Sequence, residues 1–138
     1  LYYLRFMVRK YFLSEMKNIS FEIYPGDIIF LHGDLASGKT TFSQHIIKDI
    51  LWISEDVTSP TYTYYNKYGT NIYHFDLYRL SHYDEFFAIG WEEILENPEN
   101  ISLIEWPELI AKYFSPTVEI FFRKTEKQDQ REIEIIRK

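Results

Sequence analysis

Short apolar blocks separated by polar turns set the pattern of this chain. Asp27-Ile-Ile-Phe-Leu-His32 follows the turn signal Pro25-Gly26 and stops at Gly33, which predicts a short buried strand. From Thr40 the period changes. Phe42, Ile46, Ile47, Ile50 and Leu51 fall on one helical face, predicting a helix to about Leu51. Upstream, residues 14–23 read as an amphipathic helix with Met16, Ile19 and Ile23 inward, although Phe21 and Ile23 also suit a strand. The opening residues 1–8 are apolar, too short to span a membrane, and lack a following cleavage site of small residues.

Residues 61–68 and 72–76 are aromatic, β-rich runs around Gly69-Thr-Asn71, which predicts an antiparallel hairpin. Residues 84–96 have helical character, interrupted at Gly90 and ended by Asn97-Pro98. Ile101-Ser-Leu-Ile-Glu105 is another short strand, and Pro107 suits the first turn of a short helix. Two strand-like runs, 118–123 and 132–137, close the chain across a polar loop. Strands alternating with helices, followed by strands joined too tightly for helical crossovers, predict a three-layer α/β domain with a mixed parallel/antiparallel sheet.

Between the first predicted strand and its helix lies Gly33-Asp-Leu-Ala-Ser-Gly38-Lys39-Thr40, the pattern G-x-x-x-x-G-K-[ST] in the strand–loop–helix context it requires. Glycines there let successive backbone N–H groups turn inward around an anion, and the following helix adds its positive end. Lys39 is placed to reach β- and γ-phosphates, and the Thr40 hydroxyl to ligate Mg²⁺. Such a loop needs a carboxylate at the end of a neighbouring strand. Two residues qualify: Glu105 after Ile101-Ser-Leu-Ile, and Asp76 after Ile72-Tyr-His-Phe, with His74, Tyr78 and Arg79 around it. One can hold the metal and the other orient the attacking water. The hydroxyl-rich run Ser59-Pro-Thr61-Tyr-Thr63 is by itself a turn and strand start, but after such a helix it also suits a switch segment in which Thr61 senses a γ-phosphate. Arg79 reads as an arginine finger or, as is commoner, a surface residue; His32, His45 and His82 read as structural.

Composition narrows the classes. At 138 residues, with 46% hydrophobic and 26% charged residues, the chain suits one globular domain spanning residues 1–138. Twelve Tyr and 11 Phe supply the core without staples. With no Cys, disulfides, zinc–thiolate sites and thiol nucleophiles are excluded. Fifteen Lys and Arg against 21 Asp and Glu leave a net charge of -6, unsuited to gripping DNA or RNA alone. No Lys or Arg occurs between Ser81 and Ala111, a stretch that reads as a solvated acidic face or a dock for a basic partner. The expected location is cytosolic, with no membrane association.

Four ordered blocks, Gly33-Asp-Leu-x-x-Gly-Lys-Thr-Thr-Phe42, Ser59-Pro-Thr-Tyr-Thr63, His74-Phe-Asp-Leu-Tyr-Arg-Leu80 and Leu103-Ile-Glu-Trp-Pro-Glu108, closely resemble the TsaE (YjeE) family of bacterial P-loop ATPases. The resemblance implies an ATPase supporting synthesis of threonylcarbamoyladenosine in tRNA. It would work with the TsaB–TsaD pair, which performs the transfer, and touch tRNA only through that complex. It also implies ATP contacts along Gly33, Leu35, Ala36, Ser37, Gly38, Lys39, Thr40 and Thr41, Mg²⁺ on Thr40 and Glu105, a catalytic set of Asp76, Glu105 and Thr61, and a role in activity for Trp106. The family usually has Gly-Ala where this chain has Ala36-Ser37, which tightens the backbone demands on the loop. Rival readings are a small-molecule or nucleoside kinase, which needs a basic lid that residues 81–111 do not supply, and a nucleotide-dependent adaptor. A GTPase is disfavoured because Asn66-Lys67-Tyr68-Gly69 has Gly where an Asn-Lys-x-Asp element needs its carboxylate.

Overall fold

The computed structural model describes residues 5–57 and 64–138. One seven-stranded sheet organises it. Its strands are β1 (Arg5–Phe12), β2 (Ile28–His32), β3 (Tyr65–Tyr68), β4 (Ile72–Asp76), β5 (Ile101–Glu105), β6 (Val118–Lys124) and β7 (Gln130–Arg137), in the spatial order β1-β7-β6-β2-β5-β4-β3. β2 lies at the centre and pairs in parallel with β5 and β6, and β4 pairs in parallel with β5. The β3–β4, β6–β7 and β1–β7 ladders are antiparallel. The mixed three-layer α/β arrangement expected from the sequence is therefore observed.

Side-chain alternation sorts the strands into two apolar layers. In β2, Ile29 and Leu31 face a cluster with Phe42, Ile46 and Ile47 of the first helix, whereas Phe30 faces the opposite cluster with Phe75, Phe86, Trp91 and Ile104. Phe30, Phe42, Phe75 and Phe86 are fully buried, and such side chains contribute about 1.5–3 kcal/mol each on leaving water.

Several predicted elements change shape. The helix after the glycine loop is α1 (Lys39–His45), which widens into a π-helical turn over Ile46–Ile50 while keeping Ile46 and Ile47 buried. Residues 14–23 do not form one helix: a 3-10 segment over Leu13–Asn18 gives way to extended backbone at Ile19, whose carbonyl accepts from His45 Nε2 at 2.7 Å. The predicted strand 61–68 begins only at Tyr65, because Tyr64 has a φ of 62°, outside the β region; its first residues lie outside the described segments. Gly90, at φ 80°, divides the predicted helix 84–96 into α2 (Tyr83–Ala88) and α3 (Glu92–Glu96). His82 caps α2 by accepting from the Asp84 amide at 3.3 Å. Pro107 opens a 3-10 turn, Pro107–Leu109. Strand β1 is an addition, formed where the sequence showed only a short apolar opening.

Candidate functional site

Chain from β2 turns at Gly33 and re-enters as α1 at Lys39, so the glycine loop hangs from the C-terminal edge of the central strand. Two glycines make the turn possible. A Cβ on Gly33 would sit 2.5 Å from Ser37 Oγ and 3.0 Å from the Phe122 carbonyl oxygen, and Gly38 has a φ of 110°. Ala36 meets the tighter backbone demand directly: it adopts a φ of 60°, a left-handed conformation costing an L-residue about 1–2 kcal/mol.

Lys39 is buried at 5% exposure. Its Nζ donates to the carbonyls of Gly33 and Asp34, the latter at 2.9 Å, and lies 4.0 Å from the centroid of the Trp106 ring. Trp106 itself has φ 57° and ψ 57°, so β5 ends in a sharp left-handed step that turns the indole back over the loop. Burial pushes the Lys39 ammonium below its ordinary pKa despite the opposing pull of Glu105, Glu108, Asp76 and Asp34.

Parallel pairing of β4 with β5 sets Asp76 directly opposite Glu105. Glu105 is 2% exposed, and its two oxygens have different partners: Oε1 accepts from the Thr40 hydroxyl at 2.8 Å, and Oε2 meets His74 Nε2 at 2.5 Å. Asp76 stands beside them, half-buried, accepting from the Tyr78 amide at 3.1 Å. Burial raises its pKa most strongly; the Tyr78 hydrogen bond opposes it, the Glu105 charge adds to it, and His74 and Lys39 oppose it less.

These groups line a cleft of about 440 Å³. Leu35, Ala36, Ser37, Gly38, Lys39, Thr40, Thr41, Asp76, Glu105 and Trp106 all border it, so the structure brings together most of the residues singled out in the sequence. Thr61 lies outside the described residues. Arg79 is exposed and is not among the cleft-lining residues. Sequence reasoning missed the far wall, where Tyr11, Leu13 and Met16 meet Arg131 of β7. Tyr11 is set opposite Arg131 by the β1–β7 ladder, while Leu13 and Met16 come from the 3-10 segment that follows β1; the sequence pattern marks Met16 only as an inward-facing residue. His32 and His45 have structural partners in Glu119 and Asp49, at 3.0 and 2.8 Å.

The arrangement can surround an anion with loop N–H groups and an ammonium, and present hard oxygens beside it. Thr40 and Glu105 fit a small divalent cation, which typically takes one or two protein oxygens and completes its shell with water and phosphate. Among the described residues there is no cluster of three or more His, Cys, Asp or Glu able to hold a metal unaided.

Fold and site together define a three-layer α/β protein whose central parallel strand runs through a glycine loop into a helix, with a strand-end carboxylate beside it. The family model described as threonylcarbamoyl adenosine biosynthesis protein TsaE matches residues 12–133, and the chain belongs to the TsaE family. It is 40% identical over 103 residues to the tRNA threonylcarbamoyladenosine biosynthesis protein TsaE of Rickettsia felis, covering 72% of this chain and 59% of that protein. The chain thus spans about three fifths of that relative's length. The Borreliella burgdorferi protein of the same name is 43% identical over 71% of this chain and 77% of its own. A crystal structure of YdiB from Bacillus subtilis superposes with a TM-score of 0.69 over 99% of this chain and 88% of that one; at 23% identity this likeness concerns the fold.

Proposed function

We propose that this chain is the ATP-binding and ATP-hydrolysing subunit that supports formation of threonylcarbamoyladenosine in tRNA, acting with a TsaB–TsaD pair in the cytoplasm. The observation that carries the reading is the convergence of Lys39 and Thr40 with Glu105, 65 residues further along, at the rim of a cleft large enough for a nucleotide. Lys39 leaves the Gly33 and Asp34 carbonyls to bind the β- and γ-phosphates. Thr40 and Glu105 hold Mg²⁺, which when bound neutralises charge on the phosphate oxygens. Asp76, with its pKa raised, is suited to orient a water and take up its proton. Tyr11, Leu13 and Met16 offer an aromatic and apolar wall for the purine base. Membership of the TsaE family and the relatives' names support the tRNA pathway. The net charge of -6 favours indirect contact with tRNA through partner subunits. Among the described residues no helix is long and apolar enough to cross a membrane.

The test is cellular. Depleting the protein is expected to leave tRNAs that decode ANN codons without the modification, restored by wild-type protein but not by Lys39→Ala, as read by nucleoside analysis. Fully modified tRNA from depleted cells would overturn the proposal; neither the kinase nor the GTPase reading predicts the defect.

A further inference from the structure

Two buried histidines in this molecule are used differently. His45, at 3% exposure, engages both ring nitrogens, Nδ1 with Asp49 at 2.8 Å and Nε2 with the Ile19 carbonyl at 2.7 Å, as expected of a histidine that ties a core together. His74 is completely buried, yet its Nδ1 has no hydrogen-bond partner. Its one hydrogen bond, from Nε2 at 2.5 Å, goes to the strand-end carboxylate that also faces Thr40.

Alternation along β4 sends Ile72 toward α1 and Phe75 to the opposite layer, so His74 and Asp76 project on the α1 side, where Glu105 lies. A carboxylate accepts, so Nε2 is the donor in this pair. Without that donor, the Glu105 carboxylate would be held by Thr40 alone and would be free to turn about its last bond. With it, Oε2 is occupied and Oε1 stays turned toward the loop.

We infer that His74 is a positioning residue for Glu105: its Nε2–H holds Oε2 so that Oε1 remains aimed at Thr40 and at a divalent cation bound beside the loop. The inference rests on the nucleotide reading above. Groups that orient a ligating side chain typically change metal affinity by about 10–100-fold when removed.

The experiment titrates Mg²⁺ into purified protein with a fluorescent ATP analogue and reads apparent Mg²⁺ affinity, alongside analogue affinity without metal and a melting curve. His74→Leu is expected to weaken Mg²⁺ by about 10–100-fold while leaving metal-free nucleotide binding unchanged. His74→Gln, whose amide nitrogen reaches the Nε2 position, is expected to retain wild-type Mg²⁺ affinity, and His74→Asn, whose shorter amide mimics the Nδ1 side, to lose it. Should the Leu variant fail to fold, the Gln and Asn variants decide: equal Mg²⁺ affinities in those two overturn the inference, and so does wild-type affinity in a folded Leu variant. If the wild-type protein binds the analogue with no Mg²⁺ dependence, the metal reading itself fails and the inference falls with it; Mg²⁺-dependent binding in the wild type with unchanged variants rejects the role of His74 alone.

Discussion

Strand β2 carries a cluster of charged side chains at each end, and the two clusters are built on opposite terms. At its start, Asp27 is buried but saturated. Arg137 grips it with both terminal nitrogens at 2.8 and 2.7 Å, the Tyr24 amide donates at 2.7 Å, and the Thr117 hydroxyl at 2.8 Å. Burial alone would raise the Asp27 pKa, but the hydrogen bonds from Arg137, Tyr24 and Thr117 outweigh it and hold the carboxyl below its ordinary range. At the far end of the strand the balance fails. Asp76 and Glu105 lie side by side, Lys39 spends its donors on loop carbonyls, and both Asp76 and Lys39 are shifted toward their neutral forms. A matched cation settles the first cluster into a clamp. The second has no such match, and titratable groups perturbed in this way mark a candidate functional site rather than scaffolding.

The largest effect is expected from breaking the saturated end. Arg137→Met strands Asp27 with neutral donors and is expected to cost about 2–4 kcal/mol of stability, measured by urea unfolding. The pH dependence has a definite sign. Because the folded Asp27 pKa is lowered, its stabilisation is present above the unfolded carboxylate range, near about pH 4, and is lost as pH falls through the lower folded value. Acid unfolding of Arg137→Met should therefore begin at higher pH than in the wild type; coincident acid transitions would show that the clamp contributes nothing.

At the other end Lys39→Ala is expected to weaken ATP-analogue binding about 10–100-fold while leaving the melting temperature unchanged or slightly raised. Calorimetric titration and a thermal melt check both halves. Unchanged affinity would break the contrast.

The smallest effect is also the most diagnostic. Asp76→Asn removes a carboxylate whose charged form is disfavoured in the fold, so it is expected to stabilise the nucleotide-free protein by about 0.5–1 kcal/mol while slowing ATP hydrolysis. Glu105→Gln is expected instead to reduce the Mg²⁺ dependence of nucleotide binding. If Asp76→Asn removes that dependence and Glu105→Gln does not, the two carboxylates have exchanged roles.

The centre of the molecule was more legible in the sequence than its margins. β2, the glycine loop, β4 and β5 have local signals: short apolar runs, glycines at fixed offsets and carboxylates at strand ends. β1 has none. Its outward residues Phe6 and Val8 are exposed and apolar while charged Arg9 and Lys10 interrupt it, so no clean alternation marks the strand; its place comes from β7. The split of residues 14–23 likewise depends on a distant donor, His45. Within the site, Glu105 and Asp76 were identified as candidates, but the partition of the Glu105 oxygens between Thr40 and His74 depends on β4–β5 register, which no single strand encodes. Tyr11 and Arg131 were invisible for the same reason.

The ladder joining β1 to β7 also bears on how the protein comes into being. Phe12 pairs with Gln130 and Arg5 with Arg137, so during synthesis β1 waits for a partner made more than a hundred residues later. At about 5–20 residues per second, the ribosome leaves that strand unpaired for several seconds or longer. Its exposed Phe6 and Val8 sit on a strand with open backbone N–H and C=O groups during this interval, a surface on which nascent chains can associate wrongly. The wall of the cleft formed by Tyr11, Leu13 and Met16 is brought to Arg131 only when the ladder closes. Translation of β7 therefore completes the edge of the sheet and the cleft in one event, so a chain stalled before β7 would lack both.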